Sequence, residues 1–177
     1  MKIAIIGYSG SGKSTLAETL SNHYSISKLH MDTLQFQPGW QDSDREWMLD
    51  EMKNFLTKYK AWVIDGNYSW CYYEERMQEA DQIIFLNFSP WTCLFRAFKR
   101  YLTYRGKVRE SMAAGCPERF DWEFIRWILW DGRTKNAKER YQRVQENYPG
   151  KVIVLRSQKE MDHFLENLAN NKKNQRV

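Results

Sequence analysis

Residues 2–15 read KIAIIGYSGSGKST. A short, mostly apolar run leads straight into a glycine-rich loop, and a helix-like pattern follows. Gly7, Gly12, Lys13 and Ser14 satisfy the spacing G-x-x-x-x-G-K-[ST], with Gly10 as a further glycine. Backbone amides wrap closely round phosphate oxygens only where no Cβ intervenes. At this spacing a lysine reaches the β- and γ-phosphates, and a hydroxyl stands ready for Mg²⁺. Lys2–Ile6 predicts a buried strand. Leu16, Ala17 and Leu20 within Ser14–Asn22 have helical spacing, so the positive end of a helix would face the anion. Strand, loop and helix together predict a nucleoside triphosphate site.

Further strands follow at Ser27–Met31, Ala61–Ile64, Gln82–Phe88 and Lys151–Leu155, the last three rich in β-branched or aromatic residues. Helix starts lie between them. Ser43-Asp-Arg-Glu46 and Ser157-Gln-Lys-Glu160 have the capping-box spacing, and Ser89-Pro90 sets a cap before proline at the first helical position. Strands separated by helices predict a three-layer α/β fold round a parallel sheet. At 177 residues the chain suits a single domain. The polar tail from residue 169 to 177 is expected to fray.

Composition narrows the function classes. Mean hydropathy is −0.72, and no apolar run is long enough to span a bilayer. The apolar run before the glycines is too short for a signal peptide. Cys71, Cys93 and Cys116 are odd in number and lack C-x-x-C spacing, so they read as free thiols of a cytoplasmic protein. The net charge of +5 is unevenly spread. Residues 1–90 carry 8 Lys and Arg against 12 Asp and Glu, whereas residues 91–177 carry 19 against 10. A basic half beside a phosphate loop points to a polyanionic ligand; contact with nucleic acid is the other reading of the same charge.

Gly106–Asp121 breaks the alternation, with two glycines, a proline and three basic residues. A single long helix is expected after it, from about Asp121 to Asn147. Trp127, Trp130, Ala137, Tyr141 and Val144 would form its apolar seam. Arg126, Arg133 and Arg140 recur every seven residues and would line one face. An irregular basic segment beside an arginine-edged helix suits a lid over phosphates.

Ligands of open parallel sheets bind beyond the carboxyl ends of the strands. Asp32 follows the second strand. The third ends in Asp65-Gly66-Asn67, whereas the fourth ends near Asn87. Asp65, closing an apolar strand, is therefore the candidate to hold the Mg²⁺ shell beside Ser14. Asp32 suits a base for an attacking hydroxyl, with a helix cap as its structural alternative. Arg45 suits a clamp on an acceptor phosphate or carboxylate. Gly66 would let a ligand approach the backbone.

HMDTLQFQPGW, WVIDGNYS, RYLTYRGKVR, GCPERFD and VIVLRS, in this order behind the phosphate loop, resemble the bacterial DNA topology modulation proteins of the FlaR type. These belong to the adenylate-kinase-related P-loop kinases, and the resemblance covers about residues 2–168. It implies a fold of nucleoside-monophosphate-kinase type: five parallel strands in the order 2-3-1-4-5, an acceptor-binding region at about 32–60 and a lid at about 105–122. It implies ATP phosphates held by Gly7, Ser9, Gly10, Ser11, Gly12, Lys13, Ser14 and Thr15. Asp32, Gly66 and Asn67 would then face the acceptor, and Asp65 the metal. Arg105, Arg109 and Arg119 would lie in the lid, with Arg126 and Arg133 on its return helix. The chain departs from adenylate kinase in having only Arg45 between Asp32 and Arg76, and Asn67-Tyr68 after the Asp-Gly turn.

The expected activity is a Mg²⁺-dependent transfer of the terminal phosphate of ATP or GTP to a small acceptor, either a hydroxyl compound or a nucleoside monophosphate. Lys13 with Arg109, Arg119, Arg126 and Arg133 would stabilise the transferred group, and Asp32 would act as base. The alternative is a nucleotide-dependent, DNA-associated regulator without small-molecule kinase activity. No membrane association is expected.

Overall fold

The computed structural model describes residues 1–174. Its main sheet contains β1 (Lys2–Gly7), β2 (Ser27–His30), β5 (Trp62–Asp65), β6 (Gln82–Leu86) and β7 (Val152–Leu155), all parallel. The spatial order is β2-β5-β1-β6-β7. Counted within this sheet alone, that is the expected 2-3-1-4-5. The intervening labels belong to a small antiparallel hairpin, β3 (Phe36–Gln37) and β4 (Gln41–Asp42), which residue patterns did not signal.

The helices are α1 (Lys13–Tyr24), α2 (Asp32–Gln35), α3 (Arg45–Lys58), α4 (Tyr73–Glu79), α5 (Pro90–Tyr104), α6 (Trp122–Leu129), α7 (Lys135–Asn147) and α8 (Gln158–Asn174). Among the described residues, no helix is long and apolar enough to cross a membrane. The tail expected to fray from residue 169 is helical as far as Asn174, and residues 175–177 lie outside the described part.

The core sits on both faces of the central strands. Ile3, Ala4, Ile5 and Ile6 of β1 and Ile83 and Ile84 of β6 are fully buried, which explains why these strands are continuous apolar runs. Each such isoleucine contributes about 1.5–3 kcal/mol relative to exposure. Gly7 ends β1 opposite Leu86, with φ 140°, and a Cβ there would lie 2.5 Å from the Leu86 carbonyl oxygen.

Two local expectations need correcting. The cap of α3 is Asp44, one residue after Ser43: its carboxylate accepts from the Trp47 amide at 2.9 Å. The single helix over 121–147 is broken. Trp130 leaves helical geometry (φ −131°, ψ −64°), a 3-10 turn spans Asp131–Arg133, and Thr134 caps α7 afresh. Gly132 permits the turn, since a Cβ there would approach the Trp127 carbonyl oxygen to 2.9 Å. The break divides the expected seam. Ala137, Tyr141 and Val144 are buried, while Trp127 and Trp130 remain about half exposed. It also scatters the heptad-spaced arginines over different surroundings.

Residues 105–121 form the irregular connection between α5 and α6. Met112, Ala113 and Cys116 make a small second core with Phe36 and Trp40 of the hairpin region. The Gly39 amide donates to the Gly115 carbonyl (3.0 Å), and Trp40 Nε1 donates to the Pro117 carbonyl (3.2 Å). Lys28 Nζ donates to Glu110 at 3.1 Å. The segment therefore lies folded against the hairpin at 36–40 and the start of β2.

Candidate active site

The phosphate loop closes β1 and opens α1. Gly10 and Gly12 lie at φ 77° and 96°, in the left-handed region that side chains disfavour. A Cβ on Gly10 would stand 2.4 Å from the Cys93 carbonyl oxygen, so the loop is seated directly on α5. Gly12 makes no side-chain cap for α1, which leaves first-turn amides available to an anion. The Ser11 hydroxyl is buried without a hydrogen-bond partner. An orphaned buried donor beside uncapped amides fits a bound phosphate group.

Lys13 folds back over the loop, its Nζ donating to the Tyr8 carbonyl at 3.0 Å. Burial holds this ammonium below the ordinary lysine range, against the opposing pull of Asp32 and Asp65. Both carboxylates thus act on the lysine of the loop. Ser14 Oγ donates to Asp65 Oδ2 at 2.9 Å. Asp65 Oδ1 meets His30 Nδ1 at 2.5 Å, because β2–β5 pairing sets His30 directly against Asp65. A hydroxyl and a carboxylate side by side are hard oxygen donors of the kind Mg²⁺ takes. Among the described residues, no cluster of three or more His, Cys, Asp and Glu is arranged to hold a metal unaided. The pair therefore fits an ion whose remaining ligands are phosphate oxygens and water.

Asp32 opens α2, but its side chain does not cap it. Instead Oδ1 accepts from the Tyr68 hydroxyl at 2.7 Å, leaving Oδ2 without a protein donor among the described residues. Burial, then the charge of Asp32, raises the Tyr68 phenol far above its usual range, so Tyr68 stays a donor. Arg45 is exposed and lies 5.2 Å from the Trp70 ring. Gly66 (φ 144°) is approached by Met31, whose Cβ would be 2.7 Å from an added Cβ. Asn67 is a brace. Its Oδ1 accepts from the Gly7 amide at 3.1 Å and its Nδ2 donates to the Gly7 carbonyl, tying the loop after β5 to the phosphate loop.

The expected lid arginines take separate positions. Arg109 Nε pairs with Glu118, and its Nη1 donates to Ser111 at 2.9 Å. Arg119 packs 4.9 Å from the Trp40 ring and 3.5 Å from Asp121. Arg126 pairs with Asp131 at 2.7 Å near the surface. Arg133 turns inward, donating to the carbonyls of Ile128 (2.9 Å) and Phe88 (3.1 Å) and lying 3.8 Å over the Tyr8 ring. Arg105 is exposed at the end of α5.

Two arginines of α5 escaped the sequence reading. Arg96 Nη1 donates to the Ser11 carbonyl at 2.5 Å and clamps the loop. Arg100 Nε donates to Glu118 at 2.9 Å, and its charge acts on Lys13. The buried Glu118 carboxylate thus gathers Arg100 and Arg109, and of these the charge of Arg100 reaches Lys13 of the phosphate loop. The available signal was spacing: Cys93, Arg96, Ala97 and Arg100 share one helical face, with small residues admitting the arginines inward. His30 was likewise legible as the last residue of a strand beside Asp65.

No family model matches the chain, and no curated protein matches it. Several solved structures do. A gluconokinase from Sinorhizobium meliloti 1021 aligns over 98% of this chain and 96% of its own, at 19% identity and a TM-score of 0.49. A deoxyadenosine kinase from M. mycoides aligns over 98% and 99%, at 17% identity and a TM-score of 0.53. A shikimate kinase from Bacteroides thetaiotaomicron aligns over 98% of both chains, at 16% identity and a TM-score of 0.52. The last two, with TM-scores above 0.5, carry a likeness of architecture, and the chain has the fold of the P-loop kinases.

Proposed function

We propose that this protein is a Mg²⁺-dependent kinase that transfers the terminal phosphate of ATP or GTP to a hydroxyl group of a small acceptor. The observation that carries the reading is Asp32. Its carboxylate stands on the sheet rim within the field of Lys13, is oriented by Tyr68, and keeps one oxygen unengaged. A carboxylate in that position accepts a proton from an attacking hydroxyl and repels an acceptor phosphate.

The loop amides and the Ser11 hydroxyl would receive the phosphates, and Lys13 would exchange the Tyr8 carbonyl for phosphate oxygens. Mg²⁺, held from the protein side by Ser14 and Asp65, would neutralise charge on the β- and γ-phosphates. Arg100 and Arg109 would face charge developing on the transferred group. The 105–121 segment would exclude water as a lid. Tyr68 would keep Asp32 aligned with the acceptor hydroxyl.

Two segments of the resemblance to DNA topology modulation proteins, HMDT and IDGNYS, contain Asp32, Asp65 and Tyr68, which supports the P-loop kinase side of that likeness. The test is ADP release from ATP and Mg²⁺ over a panel of polyols, nucleosides and nucleoside monophosphates. At least one hydroxyl compound should accelerate turnover, and Asp32→Asn should abolish that acceleration while leaving ATP binding near normal. Acceleration by nucleoside monophosphates alone would move the acceptor class. No acceleration by any compound, with salt-sensitive duplex DNA binding that responds to ATP, would favour the DNA-associated regulator.

A further inference from the structure

α5 is apolar on two opposite faces. Its inner face buries Cys93 and Ala97 against the body of the protein. Its outer face carries Trp91 (69% exposed), Phe95 (68%), Phe98 (42%) and Leu102 (56%). Positions 91, 95, 98 and 102 follow i, i+4, i+7 and i+11, so they form one stripe along the whole helix. Phe120 covers part of Phe98, with ring centroids 5.2 Å apart, and the stripe otherwise stays open to solvent among the described residues. Pro90–Tyr104 contains no Asp or Glu, and Lys99 is the exposed charge within the helix, since Arg96 and Arg100 turn inward to Ser11 and Glu118.

We propose that this stripe is a self-association surface, on which α5 packs against α5 of a second copy across a two-fold axis. Three observations choose that occupant. The first is area. Aromatic side chains bring about 150–250 Å² each, so the exposed fractions of the four residues leave on the order of 450 Å² of apolar surface in water. A standard interface covers about 800 Å² per partner, with roughly 57–65% of it apolar, which is the same quantity. The second is shape. The stripe is a ridge along an unbroken helix of 15 residues, and i±4 rows (91–95, 98–102) interleave with the rows of an identical helix. A two-fold contact needs only that one patch complement itself. The third is charge. Lys99 beside the stripe, with Arg105 and Lys107 past the helix end, falls short of the clusters of about four to eight basic residues that an anionic bilayer draws.

The placement couples assembly to the site whatever its reaction. The inner face of the same helix clamps the phosphate loop through Arg96 and the Gly10–Cys93 contact. The inference does not depend on the proposed kinase activity, because its readout is mass.

Sedimentation equilibrium of the full chain over a range of micromolar concentrations tests it. The unmodified protein should approach twice 21.3 kDa, in a concentration-dependent way. Phe95→Glu and, separately, Leu102→Lys should each weaken dimerisation by roughly 100-fold or more, since each change occurs twice in a symmetric contact. Both sites are more than half exposed, and circular dichroism melts check that each variant stays folded. Trp47→Glu, an exposed aromatic on α3, should leave the dimer intact. A monomer at every concentration overturns the proposal, as does a dimer that persists in both stripe variants. Co-sedimentation of a monomeric chain with phosphatidylserine vesicles, lost in Phe95→Glu, would overturn it in favour of a lipid surface.

Discussion

The carboxylate of Glu118 is the junction on which the 105–121 segment depends, and removing it should have a large, readable effect. Its side chain is 3% exposed and pairs with both Arg100 (27% exposed) and Arg109 (14%). Breaking a buried ion pair by deleting one partner costs about 3–5 kcal/mol, because the remaining charge is left without compensation. Arg100 is exposed enough to regain some water, so the lower end applies, about 3 kcal/mol for Glu118→Ala. For a chain of this length that lowers Tm by roughly 6–12 °C. Where the segment opens before the rest unfolds, the loss appears locally instead. Thermal and urea denaturation should therefore be paired with amide exchange. The diagnostic amides are those of Gly39, Met112 and Cys116, which donate to carbonyls of the segment itself. A double-mutant cycle with Arg109→Ala isolates the pair, and coupling should exceed 1 kcal/mol in order of magnitude. If Glu118→Ala changes neither the melting curve nor exchange at these amides, the claim that this carboxylate fastens the segment is wrong.

Three further outcomes are expected. Gly10→Ala forces a side chain into φ 77° and to 2.4 Å from the Cys93 carbonyl oxygen; it should cost about 2 kcal/mol or more and abolish detectable nucleotide binding by calorimetry. Burial pushes the Tyr73 phenol up to about 12 and raises Tyr68 and Tyr141 as well. A raised phenol keeps its proton longer in the fold than in the unfolded chain. Its stabilising contribution is therefore full below pH 10 and is lost as pH rises toward about 12. Absorbance at the tyrosinate band should show these three ionising together with unfolding, rather than gradually in the folded state. Finally, burial lowers the Lys13 ammonium, so affinity for Mg²⁺-nucleotide should fall on the alkaline side before an ordinary lysine would titrate, and Lys13→Arg should remove that dependence.

The phosphate loop was legible because its residue types answer to one local requirement, backbone approach to an anion. The sheet order was legible through resemblance, and the strands through their apolar runs. Asp65 was found by its place at the end of a buried strand. What escaped the sequence depended on contacts distant along the chain. Arg100 and Glu118 lie 18 residues apart, across the last turn of α5 and the irregular segment after it, and neither has a local signature. Arg126, Arg133 and Arg140 were read as one face because a heptad repeat looks continuous until Gly132 and Thr134 interrupt it. Asn67 and Gly66 looked like ligand contacts by position. In the fold Asn67 also braces Gly7, and Gly66 packs against Met31.

The central claim is that ATP held by the loop at Gly7–Thr15 gives its terminal phosphoryl group, with ADP as leaving group, to a hydroxyl activated by Asp32. Transfer of label from γ-labelled ATP, in the presence of Mg²⁺ and an accelerating hydroxyl acceptor, measures it directly. Label should appear in a phosphate ester of the acceptor with the unmodified protein, and Asp32→Asn should bind ATP normally yet transfer none. Label released only as inorganic phosphate, at a rate indifferent to acceptor and to Asp32, would contradict the account.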